Sequence, residues 1–182
     1  MKIRVVLDTN VLLSGWQSHK GASHKVLRRL LDKRFEIAVS VPLVLEYEEI
    51  LKEKLDSNIF TKENIDGIID DLCKVGVTAQ IFYLWRPFLP DPEDDHILEL
   101  AVAAHCSYIV TYNKRDFRGV EERFGIEVID AAEFLLILET TVDSNFCKPG
   151  MDKATDVSVK SSNTEITASS DARNTIKKGE QE

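Results

Sequence analysis

Residues 5 to 14 read VVLDTNVLLS. Val5, Val6 and Leu7 form the apolar, β-branched run of a strand buried on both faces, and Asp8, Thr9 and Asn10 interrupt it before Val11, Leu12 and Leu13 resume. A carboxylate taken out of water at the end of such a strand is destabilising by several kcal/mol, comparable with the stability of a whole domain, unless something pairs with it. Asp8 therefore needs a partner or a purpose. In an open α/β sheet the carboxyl ends of the strands are where ligands bind. The structural alternative is that Asp8 caps a helix carrying Val11 to Leu13.

Further apolar runs alternate with segments of helical period. IRVVL (3–7), FEIAVS (35–40), VTAQIF (77–82), SYIVT (107–111) and IEVI (126–129) read as strands. KVLRRLLDK (25–33), PLVLEYEEILKEKL (42–55), TKENIDGIIDDLCK (61–74), DPEDDHILELAVAAH (91–105) and DAAEFLLIL (130–138) read as helices. Their starts are marked by Pro42, by a Thr61 cap, by Asp91 before Pro92, and by Asp130 and Glu133 at capping-box spacing. This succession predicts an α/β fold with a mostly parallel sheet and helices on both faces. From Thr141 to Glu182 the chain is rich in Ser, Thr, Lys, Asp and Glu, with Phe146 as its one aromatic. Such a composition does not bury enough apolar surface to offset the entropy of ordering. The chain is expected to divide into one domain over 1–140 and a disordered polar tail over 141–182.

The net charge is -8, from 23 Lys and Arg against 31 Asp and Glu. That excludes a protein that holds nucleic acid by a broad basic surface, since displacing counterions from phosphates requires many cations. Any nucleic-acid chemistry has to be local and metal-assisted. Cys73, Cys106 and Cys147 are widely spaced and odd in number, which indicates neither a disulfide framework nor a zinc site. No apolar run is long enough for a membrane span, and Asp8 interrupts the stretch where a signal peptide needs an unbroken apolar core, so the cytoplasm is expected.

Other acids accompany Asp8. Asp116, in TYNKRDF, follows the 107–111 strand after a short loop, toward the same sheet edge. On the wheel of the 91–105 helix the apolar stripe runs through Ile97, Leu98, Ala101 and His105, with Asp94 near its middle and Asp95 about 100° away. Within 42–55, spacing alone does not choose among Glu46, Glu48 and Glu49. Four converging acids without a basic partner raise one another's pKa values unless a cation compensates. Oxygen-only donors favour Mg²⁺ or Mn²⁺ over zinc, and such ions assist phosphoryl displacement.

The order DTNVLLS, an acid within VPLVLEYEEIL, DPEDDHILELAVAA and then YIVTYNKRDF resembles the PIN-domain ribonucleases, in particular the VapC-like toxins of toxin-antitoxin pairs, over roughly residues 2 to 138. The resemblance implies a three-layer PIN fold and a metal-dependent endoribonuclease acting on single-stranded RNA with Mg²⁺ or Mn²⁺. It also implies an antitoxin protein as partner, and a homodimer. It matches the metal-binding and catalytic acids to Asp8, Glu46 and Asp116, and the polar, substrate-facing positions to Thr9, Asn10 and Asn113. For the third acid, alignment through ILELA selects Asp94 and counting back from Thr111 selects Asp95; the helical wheel favours Asp94.

His96 and His105 read as helix-surface or core residues, and Trp16, Trp85 and Phe88 as packing rather than base-stacking groups. Two other functions stand beside the nuclease. One is a catalytically silent PIN-like module that binds RNA or protein. The other is a phosphatase with Asp8 as nucleophile, disfavoured because Asn10 stands where its D-x-D signature needs a second aspartate.

Overall fold

The computed structural model describes residues Lys2 to Phe146, with side chains through Thr140. Five strands, β1 (Arg4–Leu7), β2 (Glu36–Val39), β3 (Val77–Thr78), β4 (Tyr108–Val110) and β5 (Glu127–Ile129), form one sheet in the order β3-β2-β1-β4-β5, with every pairing parallel. Helices α1 (Thr9–Gln17) and α2 (Ala22–Leu31) join β1 to β2, and α3 (Val41–Lys54) and α4 (Lys62–Val75) join β2 to β3. Helix α5 (Asp95–Ala103) precedes β4; a 3-10 turn (Lys114–Phe117) and α6 (Val120–Phe124) lead to β5, and α7 (Ala131–Phe146) follows. The expected α/β class is what forms.

The strand order fixes where a ligand goes. From β1 the chain proceeds outward through β2 and β3, then returns across the sheet to β4 and continues the other way to β5. Right-handed crossovers in opposite directions lay their helices on opposite faces, leaving a crevice where the direction reverses, between β1 and β4. Leu7 pairs in register with Val110, so Asp8 and Thr111 leave the sheet side by side. The strands are held by a continuous core: Val5, Val6, Ile109 and Val110 are fully buried, as parallel strands covered on both faces must be.

Several expectations need correction. The strand predicted over 77–82 pairs only at Val77 and Thr78, because the chain then leaves the sheet edge, exposing Phe82, Tyr83 and Leu84, and lies instead along α5. The helix predicted from 91 begins at Asp95; Asp91 to Asp94 form a turn in which Asp91 Oδ1 accepts from Glu93 N at 3.0 Å. Its predicted end also shifts, since α5 stops at Ala103 and His105 is exposed in left-handed backbone (φ 52°). Helix α1 is a full element where the sequence reading assigned only a possible cap. Helix α7 runs past the predicted 138 to Phe146, since a helix once formed adds residues more easily than it starts. The disordered tail expected over 141–182 otherwise falls, from residue 147, outside the described residues.

Two predicted helix starts are present in detail. Thr61 and Asn64 form a reciprocal capping box at α4, and Asp130 Oδ1 accepts from Ala132 N and Glu133 N at 2.8 and 2.9 Å ahead of α7.

Candidate active site

Asp8 caps α1, its Oδ1 accepting from Asn10 N at 3.4 Å. The structural alternative is therefore real, yet it uses only part of the side chain. Oδ2 accepts from the Thr111 hydroxyl and from Asn10 Nδ2 at 2.7 Å. Thr111 is fully buried at the end of β4, and its Oγ1 in turn accepts from Asn113 N at 2.9 Å. Asn10 closes the arrangement: Nδ2 also lies 3.3 Å from Thr111 Oγ1, and Oδ1 accepts from Tyr112 N at 3.2 Å. Asp8 is thus locked in orientation from the first turn of α1 and from the residue that follows β4. Burial nevertheless raises its carboxyl above the ordinary range, against the hydrogen bonds from Thr111 and Asn10 and with a further push from Glu46.

Asp94 is the most perturbed acid. Desolvation, followed by the charges of Asp8, Asp91, Asp116 and Glu46, pushes it up to about 6. The four acids singled out in the sequence therefore share one electrostatic neighbourhood. They reach it from four places in the fold: the end of β1, α3, the turn before α5 and the 3-10 turn after β4.

Asp95 faces elsewhere. It is fully buried, and its Oδ1 accepts from Leu89 N at 2.9 Å and Phe88 N at 3.3 Å. One turn along α5, Glu99, 1% exposed, accepts from Trp85 N at 3.1 Å and from Arg86 Nε and Nη2 at 3.0 and 2.9 Å. The two buried carboxylates strap the 85–89 segment onto α5. The wheel argument that turned Asp94 inward is therefore overturned. Asp94 precedes the helix as its N-cap, and α5 is buried almost all round, from Asp95 and Ile97 to Ala101, so no single stripe exists to read.

Glu46 has a partner that the sequence reading did not anticipate. His96 Nε2 lies 3.0 Å from Glu46 Oε2, while Nδ1 lies 2.7 Å from Glu93 O. With both ring nitrogens facing acceptors, the protonated imidazole is favoured. Burial alone would lower the pKa of His96, but Glu46 and the Glu93 carbonyl raise it. Burial pulls Glu46 upward; His96 and the Thr9 hydroxyl outweigh it and hold the carboxyl below its ordinary value.

Of the residues expected to face substrate, Thr9 is buried beside Glu46 and Asn10 is engaged on every side-chain polar atom. Asn113 is exposed at the rim. Thr111 and His96 were missed as site residues. Thr111 had a signal, since the residue that follows the strand pairing with β1 must emerge beside Asp8. His96 had none, because its partner lies on another helix.

Among the described residues no three His, Cys, Asp or Glu side chains stand gathered as a ready cation cage. In kind, the donors still fit a hard divalent ion: Asp8, Glu46, Asp94 and Asp116 offer only oxygen, and the raised Asp94 records negative charge that His96 does not fully balance.

A family model described as a PIN domain matches residues 4–115, more than half of the chain. The chain belongs to the PIN-domain family. This PIN domain is similar in fold to a chain in the crystal structure of VapBC2 from Rickettsia felis bound to a DNA fragment from their promoter, with 18% identity and a TM-score of 0.48, covering 70% of this chain and 98% of that one. No curated protein matches the chain. Among the described residues no helix is long and apolar enough to cross a membrane.

Proposed function

We propose that this PIN domain is a metal-dependent endoribonuclease that hydrolyses phosphodiester bonds in single-stranded RNA, with Asp8, Glu46, Asp94 and Asp116 holding Mg²⁺ or Mn²⁺. The observation that carries the reading is the set of acids facing the β1–β4 crevice, where burial first and then the charges of Asp8, Asp91, Asp116 and Glu46 push Asp94 up to about 6. Carboxylates crowded in this way weaken the fold unless a cation is their function. When bound, a divalent cation supplies Lewis-acid stabilisation to the charge that develops on the phosphate. The chain's own contribution is position. Thr111 and Asn10 hold Asp8 in one rotamer, Asp94, with a pKa raised to about 6, would offer an ionised oxygen at neutral pH, and Asn113 offers an amide to the substrate at the rim. The motif order further supports the toxin of a toxin-antitoxin pair, expected to arrest growth when expressed without its partner.

The catalytically silent module is the second reading. It is favoured by the pairing of Glu46 with His96 and by the absence of a gathered cage among the described residues. One experiment separates the two. Purified protein and its Asp8→Asn variant are incubated with mixed single-stranded RNAs, with Mg²⁺ or Mn²⁺ and with EDTA, and the ends are mapped. Metal-dependent cleavage lost in Asp8→Asn supports the nuclease; intact RNA throughout, with no calorimetric metal binding, establishes the silent module.

A further inference from the structure

Tyr112 stands between two site residues, Thr111 and Asn113, and neither the acid cluster nor the core uses its ring. Its backbone N–H donates to Asn10 Oδ1 at 3.2 Å, and its phenol oxygen lies 2.7 Å from Oγ of the fully buried Ser23 at the start of α2. The residue is tied at both ends, yet it remains 47% exposed. Several other aromatics are committed to one another: Trp16 packs on Phe60, and Trp85 and Phe88 both pack on Phe124. Phe82 and Tyr83 are exposed, but they sit on the loop that approaches α5 at Glu99, a helical turn beyond the Asp94 end.

An aromatic ring held fixed at a cleft rim loses almost no conformational freedom on binding, and every nucleobase has a π-face to offer it. With a net charge of -8, the protein has little capacity to gain affinity from counterion release. Beside contacts to the phosphate at the acids, stacking is a source of affinity for a single strand that is insensitive to salt and tolerant of sequence. We propose that the Tyr112 ring is a stacking platform for one unpaired base adjacent to the phosphate at the acid cluster. The Ser23 contact sets the angle of the ring, and the Asn10 contact sets its distance from Asp8. The proposal rests on the nuclease reading only for the position of that phosphate; a duplex, whose bases are already stacked, has no free base to give.

The test uses single-stranded oligoribonucleotides carrying one 2-aminopurine, bound to full-length protein in Ca²⁺ so that binding is read without turnover. The variants are Tyr112→Phe, which keeps the ring and loses the anchor, and Tyr112→Leu, which keeps apolar bulk and loses the π-face. Thermal melts confirm that both are folded. The parent is expected to quench 2-aminopurine at one position and to bind a matching duplex weakly. Tyr112→Leu is expected to lose the quench and bind roughly 5- to 150-fold more weakly, while Tyr112→Phe retains most of both. Equal binding and quench in Tyr112→Leu, or no RNA binding by the parent, overturns the platform. Metal-dependent cleavage sensitive to Asp8→Asn but indifferent to Tyr112→Leu leaves the nuclease standing and removes the platform. Tyr112-dependent quenching without any cleavage does the reverse.

Discussion

Adjacent isosteric substitutions at residues 94 and 95 should move stability in opposite directions. In metal-free protein at pH 7.5, Asp94 is ionised beside Asp8, Asp116 and Glu46. Its rise from an ordinary 3.8 to about 6, caused first by burial and then by the neighbouring acids, corresponds to roughly 3 kcal/mol against ionisation in the folded state. Solvent screening of this partly exposed side chain reduces the figure to on the order of 1 kcal/mol. Asp94→Asn removes the charge at constant shape, so the variant should be about 1 kcal/mol more stable than the parent in EDTA. The sign with pH follows. A folded-state pKa above the unfolded value means that the folded protein holds the proton more tightly, so this stabilisation is complete below pH 3.8 and fades as pH rises through about 6. The parent should therefore gain stability on acidification across that window from this group, and Asp94→Asn should lose that part of the slope. Asp95 is the opposite case. It is fully buried and accepts from Leu89 N and Phe88 N, and an amide in its place forfeits charge-assisted hydrogen bonds worth roughly 1.5 to 3 kcal/mol. Urea unfolding of the three proteins at pH 5 and 7.5 in EDTA decides. A destabilised Asp94→Asn, or an Asp95→Asn as stable as the parent, refutes the division of labour between the two residues.

Thr111→Val keeps the shape of a fully buried side chain but removes the hydroxyl that serves Asp8 and Asn113 N; a loss of roughly 1.5 to 3 kcal/mol in urea unfolding and weaker Mn²⁺ binding by calorimetry are expected, and normal Mn²⁺ affinity would show that Asp8 needs no such support. Glu99→Gln should loosen the strapped segment, read as faster limited proteolysis between residues 79 and 94; unchanged cleavage rates would locate the hold in Asp95 alone. Mn²⁺ affinity should fall as pH drops below about 6, because the cation must then displace the proton on Asp94, and calorimetry giving one affinity at pH 5.5 and 7.5 would exclude Asp94 as a ligand.

The fold was readable because parallel strands covered on both faces must be continuously apolar, and Val5–Leu7 and Ile109–Val110 are. The placement of Asp8 directly after β1 and of Asp116 in the turn that follows β4 was readable for a related reason, since a chain leaving a strand end has few places to go. The choice between Asp94 and Asp95 was not. A wheel needs one wet face, and α5, buried around nearly its whole circumference, offers a carboxylate at Asp95 as core material because a loop 6 residues away in sequence supplies the N–H groups. The short β3 was misread on similar grounds. Ile81 and Phe82 are apolar enough for a strand, but Glu99 and Asp95 draw the chain beyond them onto α5, and no local pattern encodes that long-range competition. The same holds for His96, whose significance depends on α3 standing opposite α5.

The spread of the acids follows from the charge itself. Without a cation, carboxylates at one crevice minimise repulsion by turning to whatever donors the protein offers, and Asp8, Glu46 and Asp94 differ in what they find. Asp8 takes three donors from Thr111 and Asn10, and Glu46 turns to the imidazole of His96. Asp94, with no such donor shown at its carboxylate, holds its proton up to about 6. Drawing these side chains together in metal-free protein would increase the repulsion that already perturbs Asp94. An ungathered set of acids is what charge repulsion produces in metal-free protein, and a cation bound as proposed would have to displace the Asp94 proton only below about pH 6.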